Sequence, residues 1–193
     1  MKAPLLPTCW ESGTDLRMGG MWVACLLLLA AVGLHAQPAP SLEDRVKAVF
    51  LFNFTQFVAW PEQAFPAAEA PLVIGVLGEN PFGTYLREVV TGETMGSHPI
   101  VVEHYREGKD LKPCHILFVS AGNTHRLPEI LQECQEKGIL TVGDAPAFLA
   151  MGGMIRLYRQ AGKIRLQINP ERTRAAGLTL SAKLLRLADL SVP

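Results

Sequence analysis

Short, continuously apolar segments alternate with segments of helical periodicity along most of this chain. The apolar runs at residues 72–77, 114–119 and 139–142 predict strands that are buried on both faces, as in a parallel sheet. Residues 99–105 predict another strand. Between the strands, helical spacing such as that at residues 126–137 predicts βαβ units with right-handed crossovers.

The pattern changes after Met151. Residues 154–158 and 164–168 alternate apolar and polar positions about a tight turn, which predicts a β-hairpin with one solvent-exposed face. A helix to Ala176 and a last helix over residues 180–190 are predicted to follow. The fold class is therefore a single α/β domain, Rossmann-like and three-layered, with a mostly parallel sheet and a C-terminal antiparallel hairpin at its edge.

A helix rich in aromatic residues is predicted before the first strand. Ser41 has the hydroxyl of an N-cap, and Trp60-Pro61 ends the helical pattern. Apolar residues recur between them at helical spacing: Val46, Phe50, Phe54, Phe57 and Val58. These aromatic residues are either all part of the core or partly exposed. In the second case the aromatic helix and the hairpin form a docking surface for a partner, with Phe50, Phe54, Phe57 and Trp60 as contact residues.

The first residues have the form of a secretory signal peptide. Residues 21–34 carry no charge and are followed by Ala36, a small residue suited to cleavage. Cleavage there leaves an exported domain of residues 37–193, with its core at about 42–190. An uncleaved membrane anchor is the alternative, and translation starting at Met18 or Met21 would shorten the leader.

Charge is balanced, with 18 Lys and Arg against 18 Asp and Glu. The predicted exported domain keeps this balance, because the leader holds two residues of each sign. Such a domain lacks the basic surplus of a nucleic-acid or anionic-membrane binder. Without long-range electrostatic steering, it is expected to select a partner by shape and apolar contact.

No catalytic or cofactor-binding motif occurs in the sequence. The nucleophile-elbow, zinc-protease, phosphate-loop and dinucleotide signatures are all missing, so we predict no enzyme activity and no cofactor or metal. Four histidines of the exported domain lack metal spacing and are assigned structural roles: His98, His104, His115 and His125. A hydrolase would require Asp144 to converge with one of them.

Polar residues follow three of the predicted strands, where an open α/β sheet binds ligands. They are Asn80, Ser120, Asn123 and Asp144. These side chains either bind a small molecule in a crevice or only cap helices, because Asn, Ser and Asp are preferred caps. An exported solute-binding module is therefore one possible function.

Two cysteines remain after the leader, Cys114 and Cys134. In an oxidising compartment they are either a disulfide or two buried thiols. Their spacing matches no metal motif.

Seven segments in order resemble the successive blocks of the YfiR family, over residues 46–187. They are Phe50-Leu-Phe-Asn-Phe-Thr-Gln-Phe-Val-Ala-Trp60-Pro61, Leu77-Gly-Glu-Asn-Pro-Phe-Gly83, Cys114-His-Ile-Leu-Phe-Val-Ser120, Leu140-Thr-Val-Gly-Asp144, Gly152-Gly-Met-Ile155, Leu166-Gln-Ile-Asn169 and Ala176-Gly-Leu-Thr-Leu-Ser181.

The resemblance implies a non-catalytic periplasmic regulator that restrains a membrane-bound signalling partner. In the family this is a diguanylate cyclase, whose repression lowers cyclic di-GMP and biofilm formation; a sensor kinase is another candidate partner. The resemblance also implies homodimers and redox-sensitive disulfides. Cys114 matches a family cysteine, but the partner expected at residues 72–77 is replaced by Gly75 or a neighbour, and Cys134 could substitute.

Overall fold

The computed structural model of the protein describes residues 39–122 and 126–190. The predicted signal peptide, residues 1–36, lies outside the described residues, as does Asn123. Within the described ranges, no helix is long and apolar enough to cross a membrane.

Ten strands and five α-helices make up the described chain. The strands are β1 (Val58–Ala59), β2 (Leu72–Leu77), β3 (Thr94–Met95), β4 (His98–Tyr105), β5 (Ile116–Val119), β6 (Leu140–Gly143), β7 (Ile155–Gln160), β8 (Lys163–Ile168), β9 (Thr179–Leu180) and β10 (Ala188–Leu190). The helices are α1 (Leu42–Phe57), α2 (Tyr85–Val90), α3 (Leu127–Glu136), α4 (Pro170–Ala175) and α5 (Ala182–Leu187).

Eight strands form the central sheet, in the order β10-β8-β7-β6-β5-β2-β4-β3. The five strands from β4 to β7 run parallel, and the pairs β7–β8 and β3–β4 are antiparallel. The first strand of the parallel sheet along the chain is β2. The next parallel strand, β4, pairs on one side of β2, whereas β5 pairs on the other side and is followed by β6 and β7. The strand order therefore reverses between β2 and β5, which is the switch point where doubly wound sheets bind ligands.

Each face of the sheet has its own apolar core, as three layers require. On β2, Leu72, Ile74 and Val76 pack with α1 and α2, whereas Val73 and Leu77 belong to the core beneath α3. All six residues of β2 are buried, so the continuous apolar run reflects a strand covered on both sides. The predicted α/β fold class is confirmed.

The C-terminal end of the sheet differs in detail from the prediction. The hairpin β7–β8 forms about the turn at Ala161-Gly162, but β10 pairs in parallel with β8 and is the edge strand. The last helix covers only α5, because the chain becomes extended again at Ala188. The apolar residues near the C-terminus thus serve a strand as well as a helix.

The buried side of α1 is rotated from the predicted face. Its buried residues are Lys47, Ala48, Leu51, Phe54 and Thr55. Phe50 and Phe57 lie only partly buried at the border of the core, and Val46 is exposed. Because α1 carries apolar residues on more than one side, helical periodicity alone did not select the stripe that faces the sheet.

Candidate functional site

Two of the predicted ligand residues lie at the switch point between β2 and β5. The backbone N–H of Ser120 donates to the carbonyl of Leu77 (3.3 Å), which places the two strand ends side by side. The Asn80 side chain is used within its own turn: its Oδ1 accepts from Phe82 N (3.0 Å) and its Nδ2 donates to Gly83 O (3.1 Å). Asn80 therefore acts as a local turn-former, in line with the capping alternative.

Asp144, the third described ligand candidate, forms an ion pair with α1. Its Oδ2 accepts from Lys47 Nζ at 2.9 Å, and Lys47 also contacts Glu43 at 2.9 Å. Burial alone would lower the pKa of Lys47, but its contacts with Asp144 and Glu43 outweigh burial and raise that pKa above the usual 10.5. The side chain predicted to face a ligand thus ties α1 to the carboxyl end of β6.

The histidines do not join Asp144 in a catalytic arrangement. His98 and His115 lie at the amino ends of their strands, the opposite edge of the sheet from Asp144. His104 lies on β4, three strands away from β6 in the sheet order. His125 is outside the described residues. Within the described ranges, no three His, Cys, Asp or Glu side chains are grouped to hold a metal ion.

An apolar groove lies between α1 and the tip of the hairpin. Its volume is about 620 Å³, and Leu42, Val46 and Phe50 line it from the helix. Ile164 lines the opposite wall with the basic residues Arg159 and Lys163 of the hairpin. Next to the groove, Val49 extends the apolar row along α1. The side chains are exposed by 77% at Leu42, 37% at Val46 and 39% at Val49.

We call this row, Leu42, Val46, Val49 and Phe50, the α1 surface. Sequence reasoning missed Leu42 and Val49 as surface residues. Leu42 and Val49 stand at i and i+7 around Val46. This spacing places the three residues on one side of the helix, so the sequence already carried a signal for this apolar row.

The four aromatic residues predicted to contact a partner are dispersed in the structure. Phe50 lines the groove. Phe54 is fully buried in the core, so its predicted contact with a partner is wrong. Phe57 is half-buried with the Lys183 ammonium 5.1 Å from its ring centroid, and Trp60 stands edge-on to His115 at 6.1 Å. Of the four, only Phe50 therefore belongs to the α1 surface.

Cys114 and Cys134 are free thiols in this structure and both are buried. They belong to the same apolar core beneath α3, and burial raises the pKa of each thiol to about 12. A side chain at Gly75 would place its Cβ 3.4 Å from Cys114 Sγ and 2.7 Å from the Tyr105 ring. Gly75 therefore lies against Cys114, and the close tyrosine leaves little room for a larger residue.

His115 sits in an aromatic stack at the amino edge of the sheet. Phe65 lies between His98 and His115, with ring centroids 3.8 and 4.5 Å away. The backbone N–H of Val73 donates to His115 Nδ1 (3.1 Å), so the neutral ring carries its proton on Nε2, which faces the Ala64 carbonyl at 3.2 Å. Burial lowers the pKa of His115 below its usual 6.5, against the hydrogen bond to Ala64.

The surroundings of His115 predict that the folded domain loses stability at acidic pH. Protonating Nδ1 of His115 breaks the bond from Val73, and the unfolded chain takes up that proton at a higher pH than the folded chain. The free energy of unfolding should therefore be constant above pH 6.5 with respect to this group and fall as the pH drops below it. His115→Asn keeps an acceptor without titrating, so its unfolding free energy should depend less on pH in denaturant titrations from pH 8 to 5.

The matched control is His104→Asn, which removes a histidine of β4 outside the stack. It should keep the acid slope of the wild type. An unchanged slope in His115→Asn would contradict the assignment of the acid sensitivity to this ring.

Comparison with known proteins gives one extensive match. A family model described as YfiR/HmsC-like matches residues 44–189. No curated protein sequence matches the chain.

Among solved structures, the chain is similar to an ABC domain in complex with L-Trp from Streptococcus pneumonia, at 13% identity and a TM-score of 0.45 over 63% of this chain and 55% of that one. It is also similar to a conserved domain protein from Vibrio cholerae, at 14% identity and a TM-score of 0.44 over 62% of this chain and 54% of that one. The chain thus spans about half the length of these two structures.

Proposed function

Because the chain belongs to the YfiR/HmsC-like family, we propose that it is a non-catalytic periplasmic regulator that restrains a membrane-bound diguanylate cyclase. The regulator binds the periplasmic region of the cyclase and keeps it from its active arrangement. Loss of the regulator then raises cyclic di-GMP and biofilm formation. A sensor kinase with a periplasmic domain is the other partner class.

The α1 surface is the observation that carries this proposal. A single core stripe on α1 would leave its outer side polar, but Leu42, Val46 and Val49 are apolar and exposed. Protein interfaces are built around such apolar centres with a polar rim. Here Glu43 from the helix and Arg159 and Lys163 from the hairpin supply both signs of charge at the groove.

The charge balance of the chain agrees with a partner chosen by shape. A neutral protein gains little long-range attraction, so its affinity depends on apolar contacts that form after encounter. We propose that the partner inserts apolar side chains into the groove beside Phe50 and Ile164. A homodimer that uses the same α1 surface would compete with the partner for it. Dimerisation and partner binding are therefore two proposed uses of the α1 surface.

The double variant Val46→Asp/Val49→Asp should abolish the regulation. Two carboxylates at the centre of the α1 surface leave charges unpaired in a desolvated contact, and central interface residues commonly cost more than 1 kcal/mol each. We expect capture of the cyclase from detergent-solubilised membranes to weaken at least about tenfold. In a strain lacking the gene, the wild type should lower cyclic di-GMP and the double variant should not.

The matched control is Val101→Asp, which charges a valine of 36% exposure on β4, away from α1. This variant should restore low cyclic di-GMP as the wild type does. Unchanged cyclic di-GMP on deleting the gene would refute the proposed function. Full capture by a folded double variant would refute only the surface, and mass spectrometry of the captured protein distinguishes a cyclase from a kinase.

A further inference from the structure

A cavity of about 400 Å³ opens at the amino ends of β2, β5 and β6, at the opposite edge from the predicted ligand crevice. Val73 lines it from β2, Cys114 and Ile139 line it from the residues just before β5 and β6, and Cys134 lines it from the end of α3. The loop before β2 forms the outer wall, with Ala70 among its residues. Small-molecule sites are clefts or cavities of about 300–1,000 Å³ with mostly apolar walls, and this cavity has that size and character.

The deep part of the cavity has little capacity for strong hydrogen bonds. Both ring nitrogens of His115 are used, by the Val73 N–H and by the Ala64 carbonyl. The two thiols are weak donors and stay protonated at neutral pH, because burial raises the pKa of each. A polar group placed there would lose its hydrogen bonds to water without replacement, so the buried part of a ligand must be apolar.

The rim of the cavity is positively charged. Lys112 and Lys137 are exposed at the opening, together with one carboxylate, Glu133. Glu133 is already paired with Lys137 at 2.5 Å. Within the described ranges, Lys112 forms no ion pair, which leaves one positive charge without a partner at the rim. An anionic group at the end of an apolar body would complement this arrangement.

The volume limits the size of that body. At about 30 Å³ per water molecule, the cavity equals roughly a dozen waters and holds a ligand of about ten to twelve non-hydrogen atoms. An unbranched chain suits a site whose walls come from the strand ends and from the loop before β2, because its torsions adapt to those separate walls.

We propose that this cavity binds an aliphatic monocarboxylate of about eight to ten carbons. The chain lies among Val73, Cys114, Cys134 and Ile139, and the carboxylate lies at the rim beside Lys112 and Lys137. The site is separate from the α1 surface and does not depend on the regulatory function.

Calorimetric titration of the purified protein with decanoate and decylamine below their micelle concentrations, and with decanol below its solubility limit, tests the apolar cavity and the charged rim. Decanoate should bind saturably at one site and raise the midpoint of thermal unfolding. Octanoate should bind about tenfold more weakly, because two methylene groups less are buried. Decanol should bind more weakly than decanoate, and decylamine most weakly of all.

Substitutions locate the site. Ala70→Phe fills the cavity and should abolish decanoate binding, whereas Ala67→Phe, on the same loop but outside the cavity, should not. Lys112→Gln should weaken decanoate several-fold and leave decanol unchanged, and Lys109→Gln is its control away from the rim. If Ala70→Phe fails to fold, NMR of the wild type decides: the decanoate chain should show nuclear Overhauser contacts with the side chains of Val73 and Ile139, which line the cavity.

Several results would overturn the proposal. No saturable binding of decanoate, or equal binding by a folded Ala70→Phe variant, refutes the cavity as the site. Absence of nuclear Overhauser contacts from saturating decanoate to both Val73 and Ile139 refutes it as well. Equal affinity for decanol, decanoate and decylamine refutes the carboxylate and the role of the two lysines.

Discussion

Replacing Lys47 with methionine is expected to destabilise the domain by about 3–5 kcal/mol. The Lys47 side chain is only 7% exposed and reaches Asp144, itself 17% exposed, and Glu43. Methionine fills similar space but leaves the carboxylates of Asp144 and Glu43 without their cation in a partly buried site. Urea unfolding followed by circular dichroism should show a lower midpoint with an unchanged slope.

Two further variants separate the buried charge from a general effect of losing a lysine. Lys47→Met combined with Asp144→Asn should recover much of the lost stability, because a buried ion pair replaced on both sides costs little. Lys109→Met removes an exposed pair with Glu107, with side chains 74% and 64% exposed, and should leave the midpoint of urea unfolding nearly unchanged because solvent screens that pair. A loss below 1 kcal/mol in Lys47→Met itself would show that the ion pair does not hold α1 to the sheet.

Gly153→Ala should destabilise the fold by about 2–3 kcal/mol through overpacking. The Phe148 ring is fully buried between Gly143 and Gly153. A Cβ at Gly153 would overlap that ring and come within 2.8 Å of the Phe148 carbonyl oxygen, and a Cβ at Gly143 would lie 2.5 Å from the ring. Both positions are therefore glycine because of a close contact, and thermal unfolding should show a clear fall in midpoint.

A double-mutant cycle identifies the ring as the cause. In a Phe148→Leu background, adding Gly153→Ala should cost clearly less than in the wild type, because the smaller side chain can move away from the new methyl group and only the contact with the backbone carbonyl of residue 148 remains. Gly122→Ala is the control, since a Cβ there meets no atom of the described residues within 4 Å. Equal costs of Gly153→Ala in both backgrounds would assign the loss to the backbone.

The elements of the parallel sheet could be predicted because their signal is local. Residues 72–77 are apolar throughout, and β2 has those same bounds; the hairpin β7–β8 followed from alternation about a glycine turn. Short pieces were missed: β1, β3 and β9 contain two residues each, and β10 contains three, too few for any period to be visible. These strands form only because a partner strand is present beside them.

The candidate sites were harder to predict, because they depend on which side chains meet. Asn80 and Asp144 stand where a ligand-binding loop would place them, yet Asn80 bonds within its own turn and Asp144 pairs with Lys47, 97 residues away in the chain. A lysine on an apolar helix looks like a solvent-facing residue until its partner is known. The cavity beside Cys114 gave no sequence signal at all, because segments far apart in the chain form its walls.

The sequence by itself determined the α/β class, the sheet strands, the charge balance and the family resemblance, since each depends on residue type and short-range period. Only the tertiary structure decided which stripe of α1 is buried, that Phe54 belongs to the core while Leu42 and Val49 are exposed, and that both cysteines line one cavity. The physical reason is that a side chain is buried only when another part of the chain packs against it. An apolar residue becomes core or contact surface according to what the rest of the chain places against it.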